Sequence, residues 1–178
     1  MFNKILVASD KSAASRRAFA SALEIASALK AELLLVNVLD VFAPSSPERP
    51  SISFDSYSMA LEKAIQENYQ SEWSKFVGYC NALLKQDKAE AEAAGVRASY
   101  EQPYGLPGPA ICEAARTHKA DLIMIGSRNH TLLRELVLGS VSNYIVHHAP
   151  CSVTIVHSDA RQQVTAQERL ALAFAGRL

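Results

Sequence analysis

Leu122-Ile123-Met124-Ile125-Gly126-Ser127-Arg128-Asn129, resumed at Leu138-Gly139-Ser140-Val141-Ser142, is the stretch whose reading decides the fold. Its first four residues form an uninterrupted apolar run, the pattern of a strand buried on both faces. Gly126 follows at once, and glycine lets the main chain approach a ligand closely. A helix beginning at Gly139-Ser140 points free N–H groups at any anion in front of it. Strand, glycine loop and helix start together have the chemistry of a phosphate cradle.

Working outward, Lys4-Ile5-Leu6-Val7-Ala8 reads as another buried strand, and Ser9-Asp10-Lys11-Ser12 offers turn and capping chemistry. Ala18, Ala22, Ile25, Ala26 and Leu29 then predict a helix to about Lys30, with a second strand over residues 33–38. Strand, helix and strand in this length make a βαβ unit with parallel strands and a right-handed crossover. Residues 43–50, rich in proline and serine, read as a surface loop. Residues 56–94 are helical in composition, with Gly95 as a stop. One straight helix of that length overhangs a small domain, so a break is expected near Asn68 or Gly78. Tyr69, Trp73, Phe76 and Tyr79 recur there at helical spacing, which predicts core packing, with a partner groove as the alternative.

Residues 96–101 alternate polar with apolar, as a half-exposed edge strand does. Pro107 suits the first turn of a helix that ends near His118. A helix from about Ser140 to His148 and a fifth strand over residues 152–156 complete the pattern. The reading is therefore one α/β domain over residues 1–158, carrying an insertion at about 43–94, and a tail over 159–178. Thr165-Ala166-Gln167-Glu168 matches a capping box, so the tail reads as a helix.

Composition narrows the function classes. Eighteen basic residues balance eighteen acidic ones, which gives no electrostatic reason to expect nucleic acid or an anionic membrane as partner. No apolar run approaches the roughly 20 residues of a membrane span, and the first residues lack a signal-peptide pattern. Cys80, Cys112 and Cys151 stand at wide, unpatterned intervals, unlike a disulfide framework or a zinc site, so a cytoplasmic home is expected. His147 and His148 are adjacent and cannot share one helical face, so boundary roles are favoured over metal ligation. Cys151 reads as a small buried hydrophobe at a strand start.

Alternating strands and helices suggest an open, doubly wound sheet, in which ligands sit beyond the carboxyl ends of the strands where strand order reverses. Asp10, Asp40-Val41 and Gly126 all fall at that rim. Asp10 suits helix capping as well as binding. Gly126-x-x-Asn129, nine residues, then Gly139-Ser140 resembles the nucleotide-binding signature of the universal stress protein family. That family writes glycine, two residues, glycine, nine residues, then glycine with serine or threonine. Val7-Ala8-Ser9-Asp10 looks like its first-strand Asp motif, and residues 147–153 like the entry to its last strand. The resemblance runs from Met1 to about Val156.

The resemblance implies a Rossmann-like sheet of the adenine nucleotide alpha hydrolase kind, of five mainly parallel strands ordered 3-2-1-4-5. It also implies an adenine nucleotide, ATP or AMP, at the switch point, and a homodimer through the last strands. Carried over by position, Ala8, Ser9 and Asp10 meet the nucleoside and the Val41 backbone holds the adenine edge. Gly126, Ser127, Arg128 and Asn129 approach ribose and phosphates, and Gly139, Ser140, Val141 and Ser142 bind phosphate. Asn129 departs from the family's glycine; asparagine is the other residue most tolerant of a left-handed backbone, though it adds bulk beside the phosphates. Arg128, His130 and Arg134 add positive charge nearby, with a solvated helix face as the alternative reading.

An edge strand exposing Val153 and Ile155 needs covering, and a two-fold mate provides it. The expected function is that of a dimeric, adenine-nucleotide-binding regulator of the stress response. It holds ATP or AMP, with Mg²⁺ beside the triphosphate, and signals to an unidentified protein partner through the loop at 43–57 or the helical insertion. It is not expected to be an enzyme in its main role: no Walker lysine, general base or arginine finger stands in the motif, so any ATP hydrolysis is slow. The rivals are a nucleotide-free protein-interaction module of the same fold and, less favoured, an adenylating enzyme of a related doubly wound family.

Overall fold

The structure, a computed structural model, describes residues 2–10, 12–50, 59–127 and 138–157. Five strands, β1 (Lys4–Ala8), β2 (Glu32–Val36), β3 (Ala98–Glu101), β4 (Leu122–Ser127) and β5 (Ser152–His157), pair in parallel in the order β3-β2-β1-β4-β5. The β1–β4 pairing, with Leu6 opposite Ile123, is where the winding reverses. Four helices, α1 (Ala13–Leu29), α2 (Met59–Ala93), α3 (Pro107–Thr117) and α4 (Ser140–His148), cover the two faces. The doubly wound reading of the sequence and its strand order hold.

Continuous apolar runs become central strands because both of their faces are covered. Ile5, Val7, Leu33, Leu35, Leu122 and Met124 pack on one side with Phe19, Ala22, Ala26, Leu84 and Ala91 of α1 and α2. Their neighbours Leu6, Leu34, Val36, Ile123 and Ile125 pack on the other with Ile111, Cys112, Ala115 and Ile145 of α3 and α4. β3 and β5 stand at the edges and are only half-buried. Cys151 is half-buried too, and burial raises the pKa of its thiol and of the Cys112 thiol. Raised thiols are poor nucleophiles, which agrees with the reading of Cys151 as a small hydrophobe.

The helix ends follow local chemistry. Ser12, not Asp10, caps α1, its Oγ accepting from Ser15 N at 3.1 Å. Asp10 instead folds the turn before the helix, with Oδ1 accepting from Ser12 N at 2.7 Å. Gly95 closes α2 with φ +79°, and Val96 N donates back to Ala91 O at 2.9 Å.

The expected break in the insertion is absent: α2 runs unbroken from Met59 to Ala93. No proline interrupts it, and a single Gly78 costs only about 1 kcal/mol against alanine, too little to stop a long helix of good formers. At 1.5 Å per residue α2 is about 50 Å long, and its buried residues are Cys80, Leu84 and Ala91. The half before Cys80 therefore overhangs the sheet. The expectation of core packing for its aromatics fails for the same reason. Trp73 stacks with Tyr69, Phe76 and Tyr104 at centroid distances of 6.4, 5.4 and 6.3 Å, but all four are partly or fully exposed, as is Tyr79.

Asp121 fastens the amino end of β1 to β4: its Oδ2 accepts from Asn3 N at 2.7 Å and from Lys4 N at 2.9 Å. These two bonds hold its pKa below the ordinary 3.8. A depressed carboxylate contributes stability that is present above the unfolded pKa and lost as pH falls through the folded one. Asp121→Ala is expected to lower unfolding free energy by about 1–2 kcal/mol at neutral pH. The difference between the two proteins in urea titrations should narrow as pH falls below 3.8 and vanish only below the lowered folded pKa, where the wild-type carboxylate is protonated as well.

Candidate functional site

Beyond the carboxyl ends of β1 and β4 lies a crevice of about 360 Å³. Its floor comes from Ala8, Ile125 and Gly126, and its walls from the loops that follow the strands. That size falls in the range of about 300–1,000 Å³ for small-molecule sites.

One wall donates hydrogen bonds. Gly139 is the N-cap of α4, with φ −58° and ψ 157°, and no side chain caps the helix. The first N–H groups of α4 have no carbonyl behind them within the helix, so Ser140, Val141 and Ser142 bring donors and a partial positive charge to the crevice. Among the described residues a Cβ on Gly139 would meet nothing within 4 Å. Ser142 adds a buried hydroxyl.

The opposite wall accepts. Asp10 lines the crevice, held by Asp10 N donating to Ser15 Oγ at 2.9 Å while Ser15 Oγ donates to Ala8 O at 3.3 Å. Ser9 stands beside it, its N–H donating to Val36 O at 2.8 Å. Asn37 links this wall to the next strand, with Nδ2 donating to Ser9 O at 2.8 Å and Oδ1 accepting from Gln102 Nε2 at 3.2 Å. Asp40 folds the loop after β2 by accepting from Phe42 N at 2.8 Å and, through its carbonyl, from Ser46 Oγ. Val38, Ile111, Phe76 and Cys80 supply an apolar lining. Among the described lining residues there is no lysine or arginine, and the anion donors they supply are the main-chain N–H groups at the α4 end.

Ala8, Ser9, Asp10, Gly126, Gly139, Ser140, Val141 and Ser142 are thus brought together around one crevice. Val41 is not among its lining residues; Val38 and Asp40 occupy that part of the wall. The chain turns at Asp40, which carries Val41 past the rim. Ser127 is fully buried, and its Oγ has no hydrogen-bond partner among the described residues. Arg128, Asn129, His130 and Arg134 lie outside the described residues.

Gly126 has a reason to be glycine besides ligand approach. A Cβ there would stand 2.5 Å from Ala14 O and 2.6 Å from Ser15 N, inside the first turn of α1. The sequence reading missed Ser15, Asn37, Phe76 and Cys80 as lining residues. Asn37 alone left a signal, as the one polar residue in Leu33-Leu34-Leu35-Val36-Asn37-Val38. Phe76 and Cys80 arrive on a helix whose composition shows only that it is helical.

His148 Nδ1 lies 2.8 Å from Tyr144 O, and its ring is stacked 4.1 Å from the Tyr144 ring.

Comparison with known proteins completes the picture. The model of the universal stress protein family matches residues 1–157. The chain is 37% identical to universal stress protein Slr1101 of Synechocystis over 100 residues, covering 56% of this chain and 93% of that protein. It is 30% identical to universal stress protein MJ0531 of Methanocaldococcus jannaschii over 162 residues, covering 91% and 86%. Among solved structures it is similar to UspA of Lactobacillus plantarum, with TM-score 0.64 and 26% identity over 87% of this chain and 97% of that one. It shares its fold with the Arabidopsis thaliana protein At3g01520, described with AMP bound (TM-score 0.58, 21% identity, 93% and 99% covered). The same holds for a universal stress protein described in complex with cAMP (TM-score 0.55, 24% identity, 88% and 97% covered). Family model, relatives and strand order agree, and the chain belongs to the universal stress protein family.

Proposed function

We propose that this protein is a nucleotide-binding regulator that holds ATP or AMP in the crevice between β1 and β4. The observation that carries the reading is the uncapped amino end of α4 facing an acceptor wall across the switch point. A nucleotide has the matching polarity, with phosphates to accept from α4 and hydroxyl and amino groups to donate to Ser9, Asp10 and Asn37. The Val38–Asp40 stretch, rather than Val41, is the main chain at hand for the adenine edge. Relatives of the same fold described with AMP and with cAMP support the ligand class.

With a triphosphate, Mg²⁺ would neutralise phosphate charge, and the carboxylates of Asp10 and Asp40 are the crevice groups of the right chemistry to hold it or its waters. Binding is the act in this reading and any hydrolysis is slow, since the glycine motif carries no Walker lysine, general base or arginine finger in its sequence. Mass spectrometry of nucleotides released from the purified protein tests this: AMP or ATP is expected at a large fraction of one per chain. Protein with no nucleotide, and no uptake of either on incubation, would favour the interaction-module reading instead. The exposed aromatic face of α2 is what favours that second reading.

The protein acts as a homodimer through β5. Among the described residues this strand pairs only with β4, exposes Ser152 and Thr154, and leaves Val153 and Ile155 half-buried. A two-fold mate satisfies the free edge. Thr154→Lys would set like charges together across that axis. Sedimentation equilibrium is expected to show a dimer for the wild type and mostly monomer for the variant; identical masses would refute the interface.

A further inference from the structure

We propose that Asp87, on the inserted helix α2, is a positioning residue of the crevice: it takes the only hydroxyl proton of Ser9 and so turns Ser9 Oγ into an acceptor that selects a ligand bearing a hydroxyl or amino donor at that point. The inference rests on the reading that a nucleotide occupies the crevice, and it extends that reading to a residue outside the family's glycine motif.

Ser9 Oγ donates to Asp87 Oδ2 at 3.3 Å. A serine hydroxyl has one proton and two lone pairs, so once the proton is engaged the hydroxyl of this lining residue has only lone pairs to offer a ligand. The main chain of Ser9 is fixed on both sides, its N–H bonded to Val36 O and its carbonyl accepting from Asn37 Nδ2, each at 2.8 Å. The side chain has little left to vary.

Asp87 is held as firmly. Arg16 of α1 donates from Nη1 to Asp87 Oδ1 at 2.8 Å and from Nη2 to Glu90. Arg16 is itself seated over the Phe19 ring, 4.9 Å from its centroid. Burial pushes the Asp87 pKa up, and Arg16 and the Ser9 hydroxyl oppose that shift by favouring the carboxylate. The arrangement gives the crevice a direction. Phosphate oxygens meet donors at the α4 end and are refused at Ser9, where two acceptors would face each other.

An adenine nucleotide carries two kinds of donor that suit Ser9: a ribose hydroxyl, or the exocyclic amine of the base. Calorimetric affinities for AMP, 2′-deoxy-AMP, 3′-deoxy-AMP and IMP separate them. For the wild type one analogue is expected to bind about tenfold more weakly than AMP, identifying the donor that Ser9 accepts. In Asp87→Leu, which fills the site without an acceptor, Ser9 is free to donate and that ratio should fall below about threefold. In Ser9→Ala it should fall likewise. A purely structural effect of either substitution would weaken all four ligands together and leave the ratio intact. Equal affinities for all four ligands in the wild type, or an unchanged ratio in either folded variant, would overturn the proposal. If AMP itself does not bind the wild type, the nucleotide reading falls and this inference falls with it.

Discussion

Gly126→Ala is expected to lower stability by about 3 kcal/mol, while Gly139→Ala stays within about 1 kcal/mol of the wild type. The asymmetry comes from what each new methyl meets. At Gly126 the Cβ would lie 2.5 Å from Ala14 O and 2.6 Å from Ser15 N, and both are backbone atoms of the first turn of α1. A flexible side chain could swing aside; a helix turn held by the Ser12 cap and the Ser15 bonds cannot. Relief therefore requires α1 or β4 to shift, and both line the crevice. At Gly139 the space is empty and φ is −58°, a value any residue adopts. For a chain of 178 residues the Gly126 change corresponds to a melting temperature lower by roughly 6–12 °C by calorimetry. A Gly126→Ala protein melting with the wild type would mean that the close approach of β4 to α1 is wrong.

The second large effect is on binding without loss of fold. Ser140 is exposed in the first turn of α4, where an acidic side chain is compatible with the helix dipole. Ser140→Asp should leave the melting temperature unchanged or slightly raised. The same carboxylate occupies the place of the phosphate and repels it. A unit charge about 4 Å from another costs about 4 kcal/mol at an effective dielectric of 20, before salt screening. After screening, AMP affinity is expected to fall about 100-fold, and adenosine affinity by much less. Equal losses for AMP and adenosine would move the phosphate away from α4.

The two glycines also show what the sequence could and could not convey. The reading of Leu122 to Ile125 as a strand and of Gly139-Ser140 as a helix start holds, with β4 running on through Gly126 to Ser127, while the loop between lies outside the described residues. The same reading assigned Gly126 to the ligand, because a glycine after a buried strand looks the same whether a phosphate or a helix approaches it. Only the crossing of α1 over β4 separates the two, and that crossing is tertiary. The central strands were legible as unbroken apolar runs, and β3 as an alternating edge, since burial on two faces or one writes directly into residue type. The break expected in α2 failed because compactness argued for it while no residue between Met59 and Ala93 enforced it.

Distance in sequence hid the rest of the site. Phe76 and Cys80 line the crevice, and Asp87 bonds Ser9 of its wall, from an insertion whose composition shows only that it is helical, and Asp87 looks like any charge in Lys85-Gln86-Asp87-Lys88. The expectation for Val41 differs from the crevice lining by a smaller margin. Val41 was chosen by its place after the second strand, but Asp40 turns the chain at the rim and Val38 faces inward. The loop at residues 43–57 was expected to carry signal together with the insertion. Its described part contributes Ala43, Ser45 and Ser46 to the crevice wall, next to Phe76 of the overhanging helix. A ligand that touches these residues also touches Phe76, at the base of the exposed aromatic face.

Isothermal titration of the nucleotide-stripped wild type with AMP tests the central claim most directly. A saturable isotherm with one AMP per chain, weakened about 100-fold in Ser140→Asp, is the expected result. No heat with AMP or ATP, from protein shown by mass spectrometry to be free of bound nucleotide, would contradict it.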